Sequence, residues 1–132
     1  MLKKSEIMSL IQVAGLDGQF RENSQNQWSD GVKKISEVPT YYQEHLVNYQ
    51  STVFKYISEN LIDISLILFN DNKICAVWPL YLDFGKKEPI KSINDNYGGI
   101  VVPPLFIENF PKKSQRKIIK GCISFLNNLL IK

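Results

Sequence analysis

The sequence predicts an α+β domain: a mainly antiparallel sheet built on a central hairpin over about residues 61–82 and flanked by helices. Three observations carry that prediction. Residues 61–82, LIDISLILFNDNKICAVWPLYL, hold the longest apolar run of the chain, and it is split by the turn-forming stretch Asn70-Asp71-Asn72-Lys73. Such side chains tolerate left-handed backbone angles and bond their own main chain, so the strand can reverse tightly. Both arms are apolar at consecutive positions instead of alternating, which places them centrally with a helix over each face. Elsewhere apolar residues recur at three- and four-residue spacing, the signature of helices.

In chain order, the first segment is a short helix. Ser5 is its expected cap, Glu6 favours its positive end, and Ile7, Leu10, Ile11 and Ala14 share one face. Gly15 and Gly18 bracket its end. Residues 16–36 are polar around two aromatics, Phe20 and Trp28, and read as a loop or irregular surface segment with Trp28 as a packing anchor. Pro39 marks a second helix start. In the stretch after it, Tyr42, Leu46, Tyr49, Val53 and Tyr56 form a helical stripe whose ordinary meaning is a core-facing surface. The only histidine, His45, lies off that stripe and has no Asp, Ser or Cys at a motif spacing, which favours a surface residue over a general base.

Within the hairpin, Pro79 cannot donate to a ladder, so its surroundings are expected to be an edge, a bulge or a point where strands splay. Residues 90–93 read as a third strand and 94–96 as a turn. Gly98-Gly99 suit either a tight bend or a ligand-facing element, and residues 100–102 read as a short strand stopped by Pro103-Pro104. The final segment is a helix capped by Ser114, with Ile118, Ile119, Cys122, Ile123, Phe125, Leu126, Leu129 and Leu130 on a broad apolar face. Lys112, Lys113, Arg116 and Lys117 gather at its start. Two readings stand for that cluster, a phosphate site or a solvated face.

Composition narrows the function classes. With 132 residues the chain fits one domain, and 44% hydrophobic against 22% charged residues argues against wholesale disorder. A net charge of +3 is far from the dense basic stripe of a nucleic-acid binder, so nucleic acid is not an expected partner. Cys75 and Cys122 are too few for a disulfide scaffold and lack CxxC spacing; no metal site is expected, and both read as small buried hydrophobes. No run reaches the roughly 18 apolar residues that span a bilayer, and the opening residues lack a signal-peptide h-region, so the expected location is cytoplasmic. Neither GxGxxG nor GxxxxGK[ST] occurs.

The order of elements, the turn at Asn70 to Lys73 followed by Ala76-Val77-Trp78-Pro79-Leu80, and the segment Tyr97-Gly98-Gly99 with Pro103-Pro104 after it together resemble the N-terminal lobe of FemAB-like, GNAT-type acyltransferases. The resemblance covers residues 39–132, leaving 1–38 as helix and polar loop in one domain of 1–132. It implies transfer of an acyl or aminoacyl group to an amine, with acyl-CoA or aminoacyl-tRNA as donor. It also implies a substrate and cofactor region around Trp78, Pro79, Leu80, Gly98, Gly99 and Arg116, with Tyr97 as a catalytic proton donor. In such chemistry the protein holds donor and acceptor close and stabilises the developing oxyanion, a role open to backbone groups near Trp78 to Leu80 or at Tyr97 to Ile100. The family's Q/RxxGxG/A loop is not reproduced at Arg116 to Gly121, and the family carries two lobes where 132 residues supply about one. The expectation is therefore a lobe that is incomplete alone and meets a second lobe, or a second copy, through the C-terminal helix. The alternative is a non-catalytic interaction module that uses Trp28, Tyr41, Tyr42, Tyr49 and Tyr56 together with that helix.

Overall fold

A computed structural model describes residues 3–35, 61–83, 92–94 and 103–131. The helix expected from Pro39, with His45 and the tyrosine stripe, lies outside these residues, as do Tyr97, Gly98, Gly99 and the strand expected at 100–102. The described elements run α1 (Lys4–Val13), β1 (Asp17–Phe20), a 3-10 turn (Arg21–Asn23), α2 (Gln25–Lys33), β2 (Leu61–Asp63), β3 (Leu66–Asn70), β4 (Lys73–Trp78), β5 (Tyr81–Asp83), β6 (Ser92–Asn94), β7 (Leu105–Phe106) and α3 (Lys112–Ile131). All strand pairs are antiparallel, in a four-stranded sheet β1-β3-β4-β7 and a three-stranded sheet β2-β5-β6. The α+β class read from the sequence is the class observed.

The hairpin is the spine of both sheets. Asp71 and Asn72 have φ of 51° and 63°, so both central residues are left-handed, the geometry that matches a two-residue reversal to strand twist. Leu66 pairs with Trp78 and Leu61 with Asp83, so the same register runs from the four-stranded into the three-stranded sheet. Near the turn, Leu68 pairs with Ala76 and Phe69 with Ile74, leaving Cys75 as the extra residue of a bulge. The bulge sets Cys75 and Ala76 in one core together, while Ile67 and Val77 enter the other.

Helices cover both faces, as the unalternating strands require. On one side α1 and α3 contribute Ile7, Ile11, Cys122, Phe125 and Leu129 to a core with Leu66, Leu68, Trp78 and Leu80. On the other, Trp28 and Val32 of α2 pack on Ile67 and Val77. The close crossing of α1 and α3 depends on Gly121, where a Cβ would lie 2.9 Å from Leu16 Cδ2 and 3.1 Å from the Ala14 carbonyl. This glycine, which does not reproduce the family's loop spacing, is a packing contact.

Several expectations are corrected. Where a loop or irregular segment is expected over 16–36, residues 17–33 hold β1, the 3-10 turn and α2. Only Trp28, Gly31 and Val32 of α2 are buried, so its composition looks like loop, and Gly31 lets it sit against the sheet because a Cβ there would meet Val77 Cγ1 at 3.0 Å. Ser5 is not the cap of α1; the helix begins at Lys4, and Glu6 Oε2 accepts the Lys3 N–H at 3.1 Å. At its other end the Leu16 N–H reaches the Ile11 carbonyl and the Gly15 N–H that of Gln12, with Gly15 at φ 80°, the left-handed closure expected of a glycine there. Ser114 likewise lies inside α3, which starts at Lys112 with the Pro111 carbonyl accepting from Gln115 N–H. Asn94 belongs to β6 and not to a turn, and a further strand, β7, follows the proline pair. Trp28, offered as part of an interaction surface, is fully buried; its packing-anchor role holds.

Candidate functional site

The ladder of the hairpin breaks at Pro79, where an N–H is missing, and the break is bridged from across the hairpin. Ser65, opposite Pro79, accepts the Leu80 N–H on its hydroxyl at 3.0 Å and donates to the Leu80 carbonyl at 3.4 Å; the Ile64 N–H donates to that carbonyl at 3.0 Å. Ser65 is held in turn by Asp63, whose Oδ1 accepts the Ser65 N–H at 2.8 Å. The other carboxylate oxygen accepts from the Arg21 guanidinium at 2.6 Å, and Arg21 N–H bonds the Ser65 carbonyl at 2.8 Å. Arg21 is 2% and Asp63 7% exposed, and the guanidinium lies 6.0 Å from the Trp28 ring. This charged cluster ties β1, β2 and β3 together where the two sheets part. A buried ion pair is held by hydrogen bonds of this kind, because desolvation would otherwise exceed the attraction.

The residues named from the sequence fall in different places. Trp78, Pro79 and Leu80 come together, but in the core: Trp78 is 1% and Leu80 0% exposed, and Trp78 packs edge-to-face on Phe125 with centroids 6.1 Å apart. The Leu80 N–H, a candidate oxyanion donor, is held by Ser65. Arg116 lies on the opposite, outer side of α3, exposed, beside a groove that it lines with Lys113, Ser114, Lys117 and Lys120. Tyr97, Gly98 and Gly99 are outside the described residues.

A cleft that the sequence did not reveal opens at the far end of the hairpin. It measures about 380 Å³ and is formed where the α1–β1 corner (Gly15, Asp17), the hairpin turn (Asn70, Asp71) and the start of α3 (Ser114, Lys117) converge. Three segments distant in the chain build it, and the turn signals at Gly15 and Asn70-Asp71 and the cations around Lys117 hint at it in the sequence. Its mixed charges over an apolar floor of Leu16, Leu68 and Ile118 suit recognition of a small polar molecule more than bond-breaking chemistry. Among the described residues no three His, Cys, Asp or Glu gather as a metal site, and no helix is long and apolar enough to cross a membrane.

The acidity of the two thiols, both in the α1/α3 core, is moved. Burial pushes Cys75 up to about 11, with a smaller contribution from the Asp17 charge, and pushes Cys122 up to about 12, with Cys75 nearby adding to the rise. Both are poor nucleophiles in the folded state. Alkylation by iodoacetamide at pH 8 is expected to await unfolding, so that both thiols label only as urea exposes them. Their pKa values exceed the ordinary 9.0, so the folded state keeps protons that the unfolded state loses. The contribution is present below pH 9 and is lost as pH rises from about 9 through 11 and 12; urea midpoints measured across that window should fall.

Comparison with models of known families, with curated proteins and with solved structures found no match.

Proposed function

We propose that this chain is a GNAT-like lobe of an acyl or aminoacyl transferase acting on an amine, with acyl-CoA or aminoacyl-tRNA as donor. The observation that supports it is the interrupted hairpin: a helix-covered antiparallel sheet whose central strands keep register through a proline break, followed in sequence by Tyr97-Gly98-Gly99. This is a likeness of fold and motif. Because Ser65 occupies the Leu80 N–H, the donor groups for an oxyanion fall to the Tyr97 to Ile100 segment, with Tyr97 as proton donor. Catalysis there depends on positioning and on preorganised hydrogen bonds. Titration calorimetry of the chain with acetyl-CoA and with an aminoacyl-tRNA tests the reading. Saturable binding of either supports it; no binding of either overturns it.

A second reading, an interaction module that uses the C-terminal helix, is favoured by one observation. Ile123 and Leu130 of α3 are 54% and 61% exposed, although the same helix buries Cys122, Phe125 and Leu129. Large aliphatic side chains in solvent beside a well-filled core suit a surface that another molecule covers.

A further inference from the structure

The outer face of α3 is divided along its length. Its first nine residues carry Lys112, Lys113, Arg116, Lys117 and Lys120, all exposed, and no acidic residue occurs anywhere from Lys112 to Lys132. The ion pairs seen among the described residues, Lys4 with Glu22 and Arg21 with Asp63, involve none of these five cations. Between Lys113, Ser114, Arg116, Lys117 and Lys120 runs a groove of about 390 Å³. Past Lys120 the charges stop, and exposed Ile123 and Leu130 follow, seven residues or about 10.5 Å apart on one side of the helix.

We infer that this face docks an acidic amphipathic helix, carboxylates over Lys112 to Lys120 and apolar side chains over Ile123 and Leu130; the inference rests on the interaction reading above. Charge complementarity selects the occupant. A second copy of α3 brings cations and no carboxylate, so it leaves the basic half without counter-charges. A lipid surface is uniform along the axis of a helix lying on it and favours basic residues flanking a continuous apolar stripe. Here charge and apolar surface follow one another end to end, with exposed Ser124 and Asn127 among the aliphatics. A helix with an acidic first half and two apolar anchors one heptad apart in its second half matches that order, and its acids also suit its own positive end.

Fluorescence anisotropy with the full chain tests this. The probe is a labelled helical peptide with four glutamates in its first two turns and two leucines seven residues apart in its second half. Saturable binding that weakens as salt rises is expected, together with a loss of about tenfold or more in Lys117→Glu/Lys120→Glu and in Ile123→Ser/Leu130→Ser. Both pairs lie on the exposed face, and their urea midpoints serve as the folding control. No binding overturns the inference, as does equal binding of a peptide with glutamine for glutamate. So does an Ile123→Ser/Leu130→Ser variant that binds like the parent. Tighter capture by phosphatidylserine vesicles, or a dimer abolished by Ile123→Ser, overturns it in favour of a membrane or a second copy. Acyl-CoA titration of the same preparation is read separately, so the docking inference and the transferase reading fail independently.

Discussion

Replacing Asp63 with alanine is expected to lower the folding free energy by about 3–5 kcal/mol, the range for removing one partner of a buried pair. The carboxylate serves two bonds: Oδ2 accepts from Arg21 at 2.6 Å and Oδ1 from the Ser65 N–H at 2.8 Å. Alanine leaves the guanidinium charged, 2% exposed and without the carboxylate it faces. It also loosens Ser65, whose hydroxyl bridges the break at Pro79. Urea denaturation reads the loss. The informative control is Arg21→Met/Asp63→Leu, which removes both charges and should recover most of the stability, since a well-packed apolar pair often replaces a buried ion pair at little cost. If Asp63→Ala were as stable as the parent, the cluster would not be what holds β1, β2 and β3 at the junction of the sheets.

What was legible in the sequence was local. Asn70 to Lys73 reverses the hairpin by its own backbone preferences, and α1 and α3 carry their apolar stripes in the text. The rest depends on what packs against what. Gly31 falls in a stretch that reads as loop and Gly121 in an apolar helix that gives it no role, yet each is where a helix approaches a neighbour too closely for a Cβ. The nine-residue α2 buries only Trp28, Gly31 and Val32, too few to declare a helix among glutamines and asparagines. The two-residue β7 pairs only with Ala76 and Val77 and has no periodicity to detect. The surroundings of the site residues are hidden in the sequence for the same reason. Pro79 does announce a broken ladder, but nothing in the sequence tells that Ser65, fourteen positions upstream, fills the gap. Nor does the sequence bring Asp17, Asp71 and Lys117 around one cleft.

Trp78→Ala is expected to cost about 3–5 kcal/mol as well, by a different mechanism. Trp78 is 1% exposed and packs its ring edge-to-face on Phe125 of α3, so truncation leaves a cavity between the sheet and that helix. The aromatic contact itself accounts for about 0.5–1.5 kcal/mol, and the lost burial with the cavity for the remainder. Phenylalanine at 78 keeps a ring in the space and should lose distinctly less. The pair of variants also separates two roles for the residue. A tryptophan that only fills the core changes the urea midpoint and leaves the affinity of the surviving folded Trp78→Phe protein for acetyl-CoA as it was. A tryptophan that contacts the acyl donor would weaken that affinity at unchanged stability. Since the ring is enclosed and its neighbour Leu80 is already bonded through Ser65, the first outcome is the one that follows from the packing. On that outcome, donor recognition in the proposed transferase lobe lies away from the hairpin's core.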